Sequence, residues 1–471
     1  MFGFSARSIS NVLFWVTRKK WLILSFLLSI SFFYVPSPEG LTPEGHRTLI
    51  IVSVALILII SESIPLPAVA ILILIMEVIL GVDTADGVAS SFMSDAVFFI
   101  MGSLMLAVAL VNQGLDKRLA LFVINVTGNK TWRIVLGFVT ISAFLSSFIG
   151  EHTVAAMLLP VALALIRNAG LSTNKATRLS TLLLFSIAYG CAIGSIGTPS
   201  GGGRNVIMIG YLSEFGMGTI SYLDWMKFAY PMLIIEIPIV AAVLWYTFTP
   251  EQKIMDSSVR KLKVKVAKTG KLTANQIMAI IIFLFVFFGW IFLSPFIGLG
   301  IVALSGVFLY LSFGLIEWQD INRNTNWGVI LLFGSAISLG IQMKETGAAL
   351  WIAEQTLFYL DLIFQDVGIV RWFVSVIVTG LLTNLLSNAA TVAVLGPIIL
   401  DMGGEPIIMA IMTSIASAFA YLTVVASPTC MIIHSTGLIT SGDYFKAGWK
   451  LFIISVLLLL IISTFYWPML L

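Results

Sequence analysis

Long apolar runs, each broken by only a few polar residues, recur from one end of the chain to the other. They fall near residues 21–36, 46–61, 64–81, 96–112, 180–212, 229–248, 275–293, 297–316, 327–343, 406–434 and 449–468. A helix needs about 20 apolar residues to cross a bilayer core, so this spacing predicts an all-α polytopic membrane protein with about 11 transmembrane helices. Two more stretches, 134–166 and 371–400, are as apolar but carry a polar tip, Gly150-Glu151-His152 in one and Ser387-Asn388-Ala389 in the other. A polar break at membrane depth is tolerated only against protein or a water-filled cavity. Both stretches are therefore predicted to be re-entrant hairpins. In the first, SSFIGEHTVAAMLLP (146–160), a carboxylate and an imidazole stand side by side between apolar flanks.

The two halves resemble each other. MGSLMLAVALVNQG (101–114) parallels FGSAISLGIQMKETG (333–347), and SSFIGEHTVAAMLLP parallels TNLLSNAATVAVLGP (383–397). Each hairpin precedes a span interrupted by small residues, GSIGTPSGGGRN (194–205) within 180–212 and ASPTC (426–430) within 406–434. The order predicts an N-terminal helix region (1–40), a first repeat (41–249), a cytoplasmic basic linker (250–272), a second, inverted repeat (273–448) and a C-terminal helix (449–471). Inverted repeats with paired broken helices point to a secondary transporter whose site lies near the midplane. Broken spans offer free N–H groups and positive helix ends to an anion, while unwound carbonyls can hold a cation.

Composition agrees with this. The 471 residues are 59% hydrophobic and 10% charged, and a mean hydropathy of +1.04 is more than a soluble chain of this size can bury. Arg18, Lys19 and Lys20 precede the first run, which lacks a small-residue cleavage site and is read as a retained helix. Bases gather in the loops of Lys117, Arg118, Lys130 and Arg133, of Arg167, Lys175 and Arg178, and in RKLKVKVAKTGK (260–271). Asp83, Asp86, Asp361, Asp366, Asp401 and Glu405 mark the opposite loops. Basic loops stay in the cytoplasm, which predicts a cytoplasmic N-terminus, an outside C-terminus and the cell (inner) membrane as location. Cys191 and Cys430 lie in apolar settings, and three scattered histidines assemble no metal set or nucleophile–base pair. An enzyme and a disulfide framework are not expected, and GSIGTPSGGGRN lacks the Lys-Ser/Thr of a nucleotide loop.

At its tips and loops the chain resembles the divalent anion/sodium symporter family of di- and tricarboxylate transporters, over most of its length from TPEGHRTLIIV (42–52) to FKAGWKL (445–451). The family's tips read Ser-Asn-Thr and its loops Gly/Ala-Thr-Pro-Pro-Asn. Here the second half keeps Ser387-Asn388-Ala389 and Ala426-Ser427-Pro428-Thr429-Cys430, while the first has become Gly150-Glu151-His152 and Gly201-Gly202-Gly203-Arg204-Asn205. The resemblance implies a homodimer with a scaffold and a moving transport domain, carrying a small anion by alternating access. It implies one sodium ion at Ser146, Gly150, Glu151 and Gly201 and a second at Thr383, Asn388 and Ala426, with no other cofactor. Substrate would lie near Glu151, His152, Arg204, Ser387, Asn388, Ala389, Ser427 and Pro428.

The residues leave three partners open to Glu151, because an intramembrane carboxylate must be paired, cation-bound or protonated. Arg204 can take the place of the first sodium ion, a proton can couple transport through Glu151, or sodium can stay. The matching functions are a sodium-coupled carrier with an altered first site, a proton-coupled or exchange-type anion carrier, and a cation/proton antiporter. Against these stand plainer readings: a structural Glu151–His152 ion pair, a snorkelling Arg204, a packed His434 and a scaffold Glu77 satisfied by a neighbour.

Overall fold

Caps written into the sequence set many of the helix ends. α1 (Lys20–Phe33) is followed by α2 (Pro43–Ser61), where the Thr42 side chain accepts from the Gly45 N–H and Pro43 opens the first turn. α3 (Leu66–Ile79) and α4 (Asp95–Asn112) complete the first group. α5 (Thr131–Ile149) and α6 (Glu151–Asn168) form the first hairpin, turning on Gly150 alone at φ 87°. A side chain is strained at that angle, which explains glycine at the tip. Reciprocal Thr177–Ser180 bonds start α7 (Arg178–Gly194), and a short break separates it from α8 (Gly203–Glu214).

α9 (Tyr222–Thr247) contains Pro231 and Pro238. Pro231 cannot bond the Lys227 carbonyl, which instead accepts from the Tyr466 hydroxyl at 3.1 Å. α10 (Ala274–Phe292) begins with a Thr273–Gln276 capping box, and α11 (Leu299–Ser312) begins on Asp95, whose carboxylate accepts from the Leu299 and Gly300 N–H groups at 3.0 Å. α12 (Trp327–Glu345), α13 (Ala348–Phe364) and α14 (Val367–Leu382) follow. α14 and α15 (Asn388–Asp401) form the second hairpin, α16 (Pro406–Ala416) and α17 (Pro428–His434) the second broken span, and α18 (Ser441–Phe465) the last long helix.

This computed structural model describes residues 19–115, 118, 127–169, 177–256, 259–260 and 271–470. Arg18, Lys117, Lys175 and most of the basic stretch at 260–271 lie outside the described residues. The protein is all-α and helical at every apolar segment named above. Among the described residues seven helices are long and apolar enough to cross a membrane, or eight if α13 and α14, bent by 118°, count as one span. The remaining segments fall short of that length for two reasons. α1, α3 and α11 have 14 residues each, about 21 Å of helix, and the two broken spans are each divided. α13 is an element the apolar runs do not predict, because Glu354, Gln355 and Asp361 interrupt its sequence.

α3 packs on α12, α4 on α11 and α10 on α11, while α5 to α9 and α14 to α18 pack among themselves. α8 and α15 also touch α12. At one end the Lys344 ammonium of α12 meets the Asp401 carboxylate of α15, tying the two groups together.

Candidate substrate and cation site

Both hairpin tips and both broken spans open onto one cavity of about 180 Å³. The first turn of α6 brings Glu151 and His152 to it, the first turn of α8 brings Gly203 and Arg204, and the first turn of α15 brings Asn388 and Ala389. Three helix N-termini therefore face the same space with their positive ends, and Pro428 of α17 joins them. Phe99, Leu104, Val206, Leu332, Phe333 and Met431 make the rest of the wall largely apolar.

Glu151 holds the first tip to everything around it. Its Oε2 accepts from the Ser195 hydroxyl at 3.3 Å and lies 4.0 Å from Arg204 Nη1, and its Oε1 accepts from Asn388 Nδ2 at 3.3 Å. Arg204 Nη2 donates to the same Ser195 hydroxyl. Arg204 is 2% exposed and its Nε has no partner among the described residues. The pair is thus buried, with the Ser195 hydroxyl, which also reaches the Ala192 carbonyl at 2.6 Å, between the two side chains. His152 lines this cavity and a neighbouring one of about 510 Å³ that reaches Asn112, Asn324 and Asn326. It stands between the two spaces and makes no ion pair with Glu151 among the described residues.

The other residues predicted for the first cation are placed less openly. Gly150 and Gly201 line the cavity, whereas Ser146 is buried behind them, donating to the Cys191 carbonyl at 3.0 Å. A Cβ on Gly201 would stand 2.7 Å from the Ser195 carbonyl and 3.1 Å from those of Ser146 and Ser147. Two of those oxygens already have donors: Asn205 Nδ2 bonds the Ser195 carbonyl, and Thr198 and Ser200 bond that of Ser147. The positive charge beside Glu151 is Arg204. Gly201→Ala is expected to lower stability by about 1–3 kcal/mol, because fixed backbone oxygens cannot give way, and a denaturation midpoint measures it.

In the second half, the one Thr383 hydroxyl proton is shared between Asn388 Oδ1 at 3.0 Å and the Ser417 carbonyl at 2.8 Å. These hard oxygens suit sodium, with Ala426 buried in the same break. Ser387 caps α15, accepting from the Ala390 N–H at 3.3 Å, and lines the cavity. Ser427 caps α17, accepting from Cys430 N–H at 3.2 Å, and is absent from the cavity wall together with Thr383 and Ala426. His434 packs its ring 6.0 Å from Tyr444, and Ser338 donates to Glu77 at 2.8 Å.

Sequence reasoning missed three contributors. Ser195 is the hinge of the Glu151–Arg204 pair. Asn205 donates to the Ser195 and Thr198 carbonyls at 2.9 and 2.7 Å and accepts from Ser414 at 2.6 Å, stapling the first break to α16. Asn384 does the same in the second half, bonding the Phe419 carbonyl at 3.0 Å and the Leu422 N–H at 2.7 Å. Position at a break next to a hairpin was the available signal.

The family described as sodium:sulfate symporter transmembrane region matches residues 17–471. The chain belongs to that family. It is a multi-pass membrane transporter of this symporter family and not an enzyme. An uncharacterized transporter of Haemophilus influenzae is 27% identical over 465 residues, covering 94% of this chain and 96% of its own. The sodium-dependent dicarboxylate transporter SdcS of Staphylococcus saprophyticus is 28% identical over 477 residues, with 95% and 91% covered. A sodium-dependent high-affinity dicarboxylate transporter of Caenorhabditis elegans is 24% identical, with 79% and 74% covered. Among solved structures, MtrF of Neisseria gonorrhoeae matches at TM-score 0.55 and 11% identity over 96% of this chain and 94% of its own. YdaH of Alcanivorax borkumensis matches at 0.52 and 14%, with 80% and 86% covered. These two bear on the fold alone.

Proposed function

We propose that this symporter-family member carries a small dicarboxylate across the cell membrane by alternating access, coupled to one sodium ion, with Arg204 standing where the first sodium would be. The observation that carries the reading is the Glu151–Ser195–Arg204 arrangement at a cavity onto which three helix N-termini open. Positive helix ends and the Arg204 guanidinium at the cavity wall suit the substrate's carboxylates, and the apolar wall suits its carbon chain. Glu151 near an anion is repulsive by itself, and the guanidinium offsets that. Thr383, Asn388, the Ser417 carbonyl and Ala426 would hold the sodium ion, whose charge favours an anion across the tips.

The names of the dicarboxylate-transporting relatives support the substrate class and sodium as coupling ion. In this reading the repeats are 41–249 and 273–448, the helices around α3, α4, α11 and α12 are the scaffold, and the hairpins and broken spans move against it in a homodimer. With the N-terminus cytoplasmic and the C-terminus outside, the cavity reaching Asn112 and Asn324 faces the cytoplasm.

Uptake into proteoliposomes and thermal stabilisation test it, with di- and tricarboxylates and sulfate offered in sodium or choline. A dicarboxylate stabilising only with sodium is the expected result. Sodium alone stabilising, with no anion effect, would overturn it in favour of a cation/proton antiporter. Thr383→Val is expected to weaken sodium dependence about tenfold or more, the ~1–3 kcal/mol of one lost buried polar partner, read as the sodium concentration at half-maximal uptake.

A further inference from the structure

Glu77, Glu151 and Glu236 are buried carboxylates among the described residues, and they differ in company. Glu151 has Arg204, Ser195 and Asn388, and Glu77 has the Ser338 hydroxyl. Glu236, midway along α9 and 1% exposed, has no hydrogen-bond partner on either carboxylate oxygen among the described residues. Tyr421, fully buried in the break between α16 and α17, also has a hydroxyl with no hydrogen-bond partner among the described residues, and α9 packs against both α16 and α18. The Ser455 hydroxyl of α18, 2% exposed, neighbours both.

We propose that Glu236, Tyr421 and Ser455 form a proton site inside the membrane, distinct from the substrate cavity, and that transport carries a proton through it. A carboxylate ion there would have no counter-charge. The neutral carboxylic acid carries no charge to compensate and has an O–H that a phenol or serine oxygen can accept. In the step a hydronium O–H breaks as the Glu236 O–H forms, leaving water, and the reverse returns the proton to water.

The surrounding helices hold no competing charge at this level. α10 and α16 carry no titratable side chain, and α5 has Arg133 alone, in its first turn. α7 presents Arg178 at its start, Cys191, and Tyr189, whose hydroxyl is engaged with the Tyr421 carbonyl at 2.8 Å. On α18, Asp443 and Lys446 pair with each other at 3.0 Å, Tyr444 bonds the Cys430 carbonyl, and Lys450 bonds Thr247.

That geometry also says how a proton would be felt at the substrate. Tyr421 belongs to the break that Asn384 holds through Leu422 and Phe419, and that supplies Ser417 to Thr383. Just before the same break, Ser414 of α16 donates to Asn205, the residue after Arg204. Loading Glu236 therefore changes the charge beside elements that are bonded to both halves of the site.

The inference rests on the carrier reading for its coupling, but its first test needs no substrate. Infrared difference spectra of the purified protein between acid and alkaline pH are expected to show a buried carboxylic-acid C=O band that loses a component in Glu236→Gln and shifts in Tyr421→Phe. In proteoliposomes loaded with a pH dye and given succinate, proton movement per succinate is expected to fall at least tenfold in Glu236→Gln, while succinate exchange persists. An unchanged band in both variants overturns the proton site. A lost band with unchanged proton movement overturns the coupling. If Glu236→Gln does not fold, Tyr421→Phe decides by the same two readings. Wild-type protein that shows the band but moves no carboxylate would fault the carrier reading instead.

Discussion

Arg204→Ala is expected to reduce uptake at least about 100-fold and to destabilise the protein more than removal of both charges together. Arg204 is 2% exposed and sits over Gly202, with its Nη1 4.0 Å from Glu151. Truncating it leaves a carboxylate buried with only Ser195 and Asn388 as donors, and breaking a buried pair from one side costs about 3–5 kcal/mol. Glu151→Gln/Arg204→Gln keeps similar shapes without the uncompensated charge. Its expected loss of stability is smaller than that of Arg204→Ala, so a cycle of thermal or denaturant midpoints for the two singles and the double measures the coupling.

The same variant tests what the guanidinium replaces. With Arg204 gone, Glu151 and the tip at Gly150 face a place that needs a positive charge. Sodium is then expected to raise the midpoint of Arg204→Ala relative to choline by more than it raises the wild type. Equal sodium effects in the two proteins would mean that Arg204 does not occupy a cation's place. Arg204→Lys separates charge from shape: one ammonium cannot hold Ser195 and face Glu151 as a planar fork does. Partial stability with little uptake is the expected outcome there.

The parts of this arrangement that were legible in the sequence are those that violate the hydrophobic pattern. Glu151, Arg204 and Asn388 each interrupt an apolar stretch, and such interruptions survive only where something satisfies them. Residues that conform to the pattern hide. Ser195 reads as one more small residue in GSIGTPSGGGRN, yet it links Glu151 to Arg204. The contact between the tips joins positions 237 apart in sequence, and no periodicity encodes it. α13 was hidden for the opposite reason: Glu354, Gln355 and Asp361 break its apolar run, while Phe358, Leu362 and Ile363 remain exposed for an apolar surrounding. Glu236 lay in plain view in IIEIPIV, inside a predicted span, and the cost of an acid at that depth was the signal to use.

Asn388→Asp offers the second large effect. Asn388 sends its Nδ2 to Glu151 Oε1 at 3.3 Å and receives Thr383 Oγ1 on its Oδ1 at 3.0 Å. The aspartate keeps the acceptor for Thr383 and replaces the donor to Glu151 with a second negative oxygen. Two carboxylates at that distance in a dry site repel strongly, and Arg204, already beside one of them, cannot neutralise both. Uptake is expected to fall about 100-fold or more at low sodium. Part of it is expected to return at high sodium, because a cation held by Thr383 and the new carboxylate offsets the repulsion. Asn388→Ala provides the contrast, since it loses the donor and a proposed sodium ligand but adds no charge. Its uptake is expected to fall less, with a higher sodium requirement. An Asn388→Asp protein as active as Asn388→Ala at low sodium would mean that the two tips do not face each other with Glu151 charged, and the link between the halves would have to be sought elsewhere in the cavity.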